Sequence, residues 1–264
     1  MITQHLHCGF WEKPTLATGS PADLARASEE MCYRFFQMAK VDDGQQILDV
    51  GCGYGGTLRS LNEHFEGLSL VGLNISLPQL AEANRRIVPR KGNTVELVAG
   101  NGCTLPLGDG GFDRVMAVES VVFFSRSRFF CEAKRVLRPG GRLLVVDFLP
   151  AIVLRPFLVA WDFSVGKLLS HSFHQTNLRF SLAGYRRLAA AHGFELESCR
   201  DWTPHTLPSY STMRRVVLKD LGRTDLRTRV ALLGNIVTER LSRLGLVRYM
   251  VLLFRDLREV PRSS

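Results

Sequence analysis

Residues able to do chemistry gather at three places in this chain. The first is Ile47-Leu48-Asp49-Val50-Gly51-Cys52-Gly53-Tyr54-Gly55-Gly56, an apolar run ending in glycines. A buried strand here would deliver the chain into a turn whose missing side chains let a cofactor lie against the backbone. Asp49, two residues before the first glycine, is placed to hold the loop or to reach a nearby ammonium group. The second is Glu119, in Val118-Glu119-Ser120-Val121, where a carboxylate at a strand end could take a proton or serve only as a structural acceptor. The third is Ser170-His171-Ser172-Phe173-His174, whose two imidazoles sit at i and i+3. A near-neutral histidine is a natural base for a phenol or sugar hydroxyl. Metal ligation by the same pair lacks a third ligand identifiable from sequence. Asp147 is either a pocket-facing acid at a strand end or a surface or capping residue, and His205 lies near a hinge.

These residues need elements to position them. Gln46–Val50, Leu68–Leu73, Val95–Val98, Arg114–Val118 and Arg142–Phe148 have the composition of strands. Between them Thr57–Phe65, a stretch capped by Ser76 with Pro78 in its first turn, and Arg128–Leu137 have helical spacing. Such alternation predicts an α/β fold with a mostly parallel sheet and helices on both faces, its ligands at the carboxyl ends of the strands. Leu182–His192 is then a helix ended by Gly193, and Glu195–Arg200 a strand. Leu226, Val230, Leu233, Val237, Leu241 and Leu244 form one face of a later helix, and Leu246–Phe254 a closing strand. A helical excursion between two terminal strands has the character of a lid. Phe148 to Trp161 is rich in large apolar groups, either a core helix or the wall of a greasy pocket.

Composition bounds the class. The 264 residues are 45% hydrophobic with a net charge of +9, enough for one large core and far from a disordered chain. No stretch approaches the roughly 20 apolar residues of a membrane span, and no secretory leader is visible at the start. The six cysteines form no CxxC pair, a pattern expected of reduced cytoplasmic thiols rather than disulfides or zinc ligands. From Arg200 onward 13 Lys and Arg face 6 Asp and Glu, whereas the first 199 residues are nearly balanced. The basic excess therefore belongs to the last quarter, where Arg214, Arg215, Arg223, Arg227 and Arg229 cluster as a solvated face or as a site for phosphate or an anionic membrane.

A glycine loop alone does not separate cofactor classes, since nicotinamide enzymes use a related one. Two further motifs do. Asn101-Gly102-Cys103-Thr104-Leu105-Pro106-Leu107 followed by Gly111-Phe112-Asp113, and Arg135-Val136-Leu137-Arg138-Pro139-Gly140-Gly141, follow the loop in order. Over residues of about 40–200 the chain resembles the class I S-adenosylmethionine-dependent methyltransferases. His5-Leu6-His7-Cys8-Gly9-Phe10-Trp11 and Gly72-Leu73-Asn74-Ile75-Ser76 are similar to segments of their small-molecule branch, which includes sterol, tocopherol and rebeccamycin-type sugar methyltransferases. The resemblance implies a Rossmann-like fold with a seven-stranded sheet, a lid before the last strand, and S-adenosylmethionine as cofactor with S-adenosylhomocysteine as product. It further implies cofactor contacts from Trp11, Asp49, Gly51, Gly53, Gly55, Asn74, Ile75, Gln79, Asn101, Gly102, Cys103 and Glu119. Asn74 and Asn101 stand where most of the class carries acids, so charge-assisted contacts to ribose and adenine are lost there.

The organisation implied is a cofactor-covering cap over 1–40, a core over 41–205, a lid over 206–245, and a closing strand with tail over 246–264. The expected activity is methylation of a hydrophobic small molecule of specialised metabolism in the cytoplasm. O-methylation comes first, with Glu119, His171 and His174 as the catalytic candidates and no metal. The alternatives are C-methylation of a phenolic or isoprenoid acceptor, one bearing a diphosphate included, and, further off, a cofactor-dependent cyclase or a dehydrogenase. A nucleic-acid methyltransferase is the rival raised by the charge, but Ala117-Val118-Glu119-Ser120 has neither the Asn-Pro-Pro-Tyr nor the Pro-Cys pattern, so no nucleic-acid partner is expected. Peripheral membrane contact and the oligomeric state stay open.

Overall fold

The computed structural model describes residues 5–154, 180–220 and 226–259. Seven strands form one sheet: β1 (Gln46–Val50), β2 (Ser69–Asn74), β3 (Thr94–Ala99), β4 (Phe112–Val118), β5 (Leu137–Pro150), β6 (Phe194–Asp201) and β7 (Val247–Asp256). Their spatial order is β3-β2-β1-β4-β5-β7-β6, parallel except for β7, which runs antiparallel to both neighbours. The expected α/β architecture is therefore the observed one.

Both faces of the sheet are covered, and the period-two alternation of the strands divides the core accordingly. Ile47, Leu144, Val146, Val251 and Leu253 point to one side, where Met31, Phe35 and Phe36 of α1 (Pro21–Ala39) and Leu58 and Leu61 of α2 (Gly56–His64) pack on them. Leu48, Val50, Leu143, Val145, Leu252 and Phe254 point to the other, against Phe129 and Phe130 of α4 (Arg126–Val136) and Tyr185 of α5 (Leu182–Ala191). The helix α3 (Leu77–Arg86) joins β2 to β3 and adds Leu80 and Ala83 to the first side.

Two helices, α6 (Thr203–Asp220) and α7 (Leu226–Arg243), intervene between β6 and β7, where the lid is expected. They are tied by an ion pair from Arg214 to Glu239 at 2.6 Å and by Tyr210 against Ser242 at 3.3 Å. Of the apolar stripe read along α7, Leu233 and Val237 are exposed, as is Leu244 just beyond it, so that side of the lid is open.

Two sequence expectations need correction. Phe148 and Leu149 belong to β5 rather than to a helix, followed only by a short turn at Ile152–Leu154, because β7 pairs with β5 as far as Pro150. The rest of that apolar segment, through Trp161, lies outside the described residues. Asp147 is neither a surface nor a capping acid. It is buried, bonded to Arg126 and to the Tyr185 hydroxyl, each at 2.7 Å, and links β5 to α4 and α5.

Candidate active site

Four neighbouring strands end on one edge of the sheet, and the loop after each lies along that edge. In spatial order these are the loops at Asn101, Asn74, Gly51 and Glu119, and the order in which the chain adds strands reverses between the parallel β1 and β4, the switch point of the sheet. The glycine loop is held tightly. The N–H groups of Gly51 and Cys52 both donate to the Leu73 carbonyl, at 2.7 and 3.1 Å, and the Ser120 hydroxyl donates to the Val50 carbonyl at 2.6 Å. Gly51 has φ of +83°, and a Cβ placed on it would lie 2.4 Å from Cβ of Ser120, so this position admits only glycine. At Gly53 a Cβ would meet the tip of the exposed Leu6 side chain, which lies over the loop.

Beneath the loop Asp49 is buried, and its Oδ2 has no hydrogen-bond partner among the described residues. Burial raises its pKa to about 7. At the end of β2, Asn74 donates to Gln79 Oε1 at 2.7 Å and accepts from the Ile75 N–H at 3.0 Å, leaving the Ile75 side chain exposed on the cleft rim. After β3, Asn101 Oδ1 accepts the Cys103 N–H at 2.9 Å, and Gly102 packs against the Phe124 ring. The residues inferred for the cofactor thus stand on one edge in two groups, amides toward β3 and the loop with Glu119 toward β4. The buried unpartnered oxygen of Asp49, the glycine cradle and the amide pair fit a ligand that carries an ammonium group, a ribose and an adenine.

Glu119 follows β4 with φ of +51°, a left-handed conformation costly for a non-glycine residue. Its Oε1 accepts two hydrogen bonds, from the Cys8 N–H and the Tyr249 hydroxyl, both 2.8 Å. The Cys8 thiol also acts on this carboxyl. Burial pushes its pKa up to about 7 against the lowering effect of these donors. Tyr249 comes from β7, so Glu119 joins the sheet edge, the closing strand and the N-terminal segment in one contact.

That segment, His5 to Trp11, is a strap across the edge. The Gly9 N–H donates to Ser209 Oγ at 2.9 Å, Phe10 N–H to the Ala27 carbonyl at 2.8 Å, and Trp11 N–H to the His205 carbonyl at 3.0 Å. His205 Nδ1 in return meets the Trp11 carbonyl at 2.9 Å, and its ring stacks on Phe10 with centroids 4.3 Å apart. Trp11 donates from its indole to Asp23 at 3.1 Å. The strap is therefore fastened to α1, to α6 and to Glu119, and the hinge histidine proves to be one of its clasps. Trp11, expected against the cofactor, is buried in its own small cluster with Leu24 and Ala27.

Of the catalytic candidates, Glu119 is in place, whereas His171 and His174 lie outside the described residues. Sequence reasoning missed Tyr249, Cys8 and Ser209 as partners of this edge. They lie 40 to 241 residues from one another and 90 or more from Glu119, so no local pattern could have joined them. It also missed a buried group, His5, His7 and Cys32, whose ligating atoms lie within 4.8 Å of one another. Only the i, i+2 spacing of the two histidines hinted at it.

Comparison with known proteins adds a chemical family to this geometry. A methyltransferase-domain family matches residues 48–145, from the glycine-loop strand to β5. The chain is 30% identical to 27-O-demethylrifamycin SV methyltransferase of Amycolatopsis mediterranei over 79% of its own length and 73% of the relative's. It is 36% identical to methyltransferase GfsG of Streptomyces halstedii, over 56% of its length, and spans only 52% of that protein. Among solved structures, geranyl diphosphate methyltransferase in complex with S-adenosylmethionine superposes with a TM-score of 0.73 at 22% identity, covering 96% of this chain and 98% of that one, and so shares the fold.

Proposed function

The chain belongs to the class I S-adenosylmethionine-dependent methyltransferases of small-molecule metabolism, and from that premise we propose that it methylates a hydroxyl group of a hydrophobic acceptor. Bound at the glycine loop, S-adenosylmethionine supplies an activated methyl group on a sulfonium centre. The protein's task is to hold the acceptor oxygen in line with that methyl, exclude water and accept the hydroxyl proton.

The observation that carries this reading is Glu119. A base for a hydroxyl works best with a pKa near the working pH, and burial brings this carboxyl to about 7. Two donors immobilise Oε1, which leaves Oε2 as the atom to receive a proton. The left-handed backbone at Glu119 is strain of the kind that a reactive position retains. Asp49 would face the cofactor's ammonium group from below the loop, Asn74 and Gln79 its ribose, and Gly102 and Cys103 its adenine. Asn101, folded onto the Cys103 N–H, would meet adenine only from the rim. His171 and His174 are assigned to the acceptor side as further bases, on their sequence position alone. The relative named for 27-O-demethylrifamycin SV favours oxygen as the nucleophile.

The test is incubation with methyl-labelled S-adenosylmethionine and a panel of phenolic, isoprenoid and macrocyclic alcohols, with the product's methyl located by NMR. Transfer to oxygen that collapses in Glu119→Gln supports the proposal. Transfer to carbon would establish the second reading, C-methylation, in which Glu119 takes the proton from the methylated ring. Rearrangement of the acceptor without methyl incorporation would overturn both.

A further inference from the structure

We propose that His5, His7 and Cys32 form a zinc site that pins the N-terminal strap to helix α1. His5 and His7, two apart on the strap, face inward while Leu6 between them faces out over the glycine loop. Cys32 lies one turn along α1 from Glu29, on the same helix face. The Cys32 Sγ stands 3.3 Å from His7 Nε2 and 3.6 Å from His5 Nδ1. A tetrahedral ion with Zn–N of about 2.0 Å and Zn–S of about 2.3 Å sets its ligand atoms roughly 3.3–3.6 Å apart, so the two sulfur–nitrogen separations match edges of such a tetrahedron, and the two ring nitrogens, within 4.8 Å of each other, would draw together on the ion.

The outer contacts of both imidazoles agree with ligation. His7 Nδ1 donates to the Cys8 carbonyl at 2.8 Å, which leaves the lone pair on Nε2, toward the sulfur. His5 Nε2 donates to Glu29 Oε1 at 2.9 Å, which leaves the lone pair of the neutral ring on Nδ1, also toward the sulfur. Carbonyl and carboxylate acceptors behind ligating histidines are the usual means of fixing tautomer and ring orientation at zinc. Glu29 is itself held by Arg59 Nη2 at 2.7 Å.

A divalent ion would offset the charge of the buried Cys32 thiolate, while the Glu29 carboxylate is already paired with Arg59. Forming the zinc–sulfur bond breaks the S–H bond, and the proton leaves to solvent. Two imidazoles and a thiolate are a borderline-soft set, which selects zinc over magnesium or calcium. Three protein ligands leave a fourth position. The buried Ser60 hydroxyl lies beside both Cys32 and Glu29. The site would sit under the strap on the side away from Leu6, as a fastener rather than as a part of methyl transfer.

The experiment uses the full, tag-free chain, stripped with chelator and titrated with zinc and then with cobalt as a spectroscopic substitute. We expect one equivalent bound per chain, and in the cobalt form thiolate-to-metal charge transfer together with tetrahedral d–d absorption. Cys32→Ser should remove the charge-transfer band, and Cys103→Ser should keep it. Because Cys32 is a core residue, Glu29→Gln provides a second test that leaves all ligands intact. It should weaken zinc about 10–100-fold, the cost expected for an outer-shell partner, with the circular dichroism of the protein unchanged. Failure of the wild-type chain to bind an equivalent of zinc overturns the proposal. So does a charge-transfer band that survives in Cys32→Ser, or zinc affinity unaltered in Glu29→Gln.

Discussion

Glu119 concentrates the residue-scale argument. A carboxyl with its pKa raised by burial acts as a base only when ionised, so kcat/KM should rise with pH through about 7 and level off above it. The effect on stability has the opposite sign. The fold favours the neutral form, so stabilisation present below the ordinary carboxyl range is lost as pH climbs through about 7. Glu119→Gln should cost about 10²–10⁴-fold in turnover and flatten the acid limb of the profile. Calorimetric affinity for S-adenosylhomocysteine should stay within a few-fold, and a retained acid limb would assign that pKa elsewhere. His171→Ala and His174→Ala should likewise lower turnover far more than cofactor affinity, and unchanged turnover in both would remove them from the mechanism. Asp147 is a residue of another kind. It is buried with Arg126, and Asp147→Ala would strand that guanidinium at a cost of about 3–5 kcal/mol. Thermal melts should show a large fall in Tm, while the folded fraction still binds S-adenosylhomocysteine.

At the scale of elements, the glycine loop and the strap, which meet where Leu6 lies against Gly53, are the two segments proposed to enclose the cofactor. Gly51→Ala places a Cβ against Ser120 at a positive φ, a backbone penalty of about 1–2 kcal/mol before the clash is counted. It should abolish calorimetric binding of S-adenosylhomocysteine, and retained binding would contradict the placement of the cofactor. The strap is held by backbone bonds to Ser209, Ala27 and His205 and by its bond to Glu119. Removing residues 1–11 should therefore weaken S-adenosylhomocysteine about tenfold or more and expose the Phe35–Trp202 stack to solvent. Equal affinity in the shortened chain would show that the strap covers something other than the cofactor.

At the scale of the whole molecule, the basic last quarter changes character. Arg214 and Arg243 share Glu239, Arg255 pairs with Glu195, and Arg258 with Asp256, so part of the excess is neutralised within the fold. The exposed Arg255–Glu195 pair adds little stability, whereas Glu239 and Asp256 are buried acceptors, and all these pairs remove charge that a nucleic-acid backbone would need. Leu233 and Val237 on the open side of the lid are better suited to a hydrophobic acceptor or an anionic membrane surface, and no helix is long and apolar enough to cross a membrane. Fluorescence anisotropy with a labelled RNA duplex at low salt is expected to show no saturable binding.

What sequence alone determined is whatever depends on near neighbours. Near-continuous apolar runs in Ile47–Val50 and Leu143–Val146 define strands buried on both faces, and the glycines after Val50 define a turn that a cofactor can approach. Gly193, Pro139 and the Ser76–Pro78 start mark element ends because capping and fixed φ are local effects. The order of strands, helices and lid followed from that punctuation. Tertiary structure decided the contacts between distant segments, because side chains brought together by sheet order leave no trace in spacing. Asp147 resembled a pocket acid until Arg126 and Tyr185 were found beside it. Glu119 acquired its two donors from opposite ends of the chain. Cysteines without a CxxC pattern pointed away from metal, yet the strap folds back over α1 and sets Cys32 between His5 and His7. Pairing, burial and the resulting pKa values are properties of enclosure, and enclosure exists only once the chain has closed on itself.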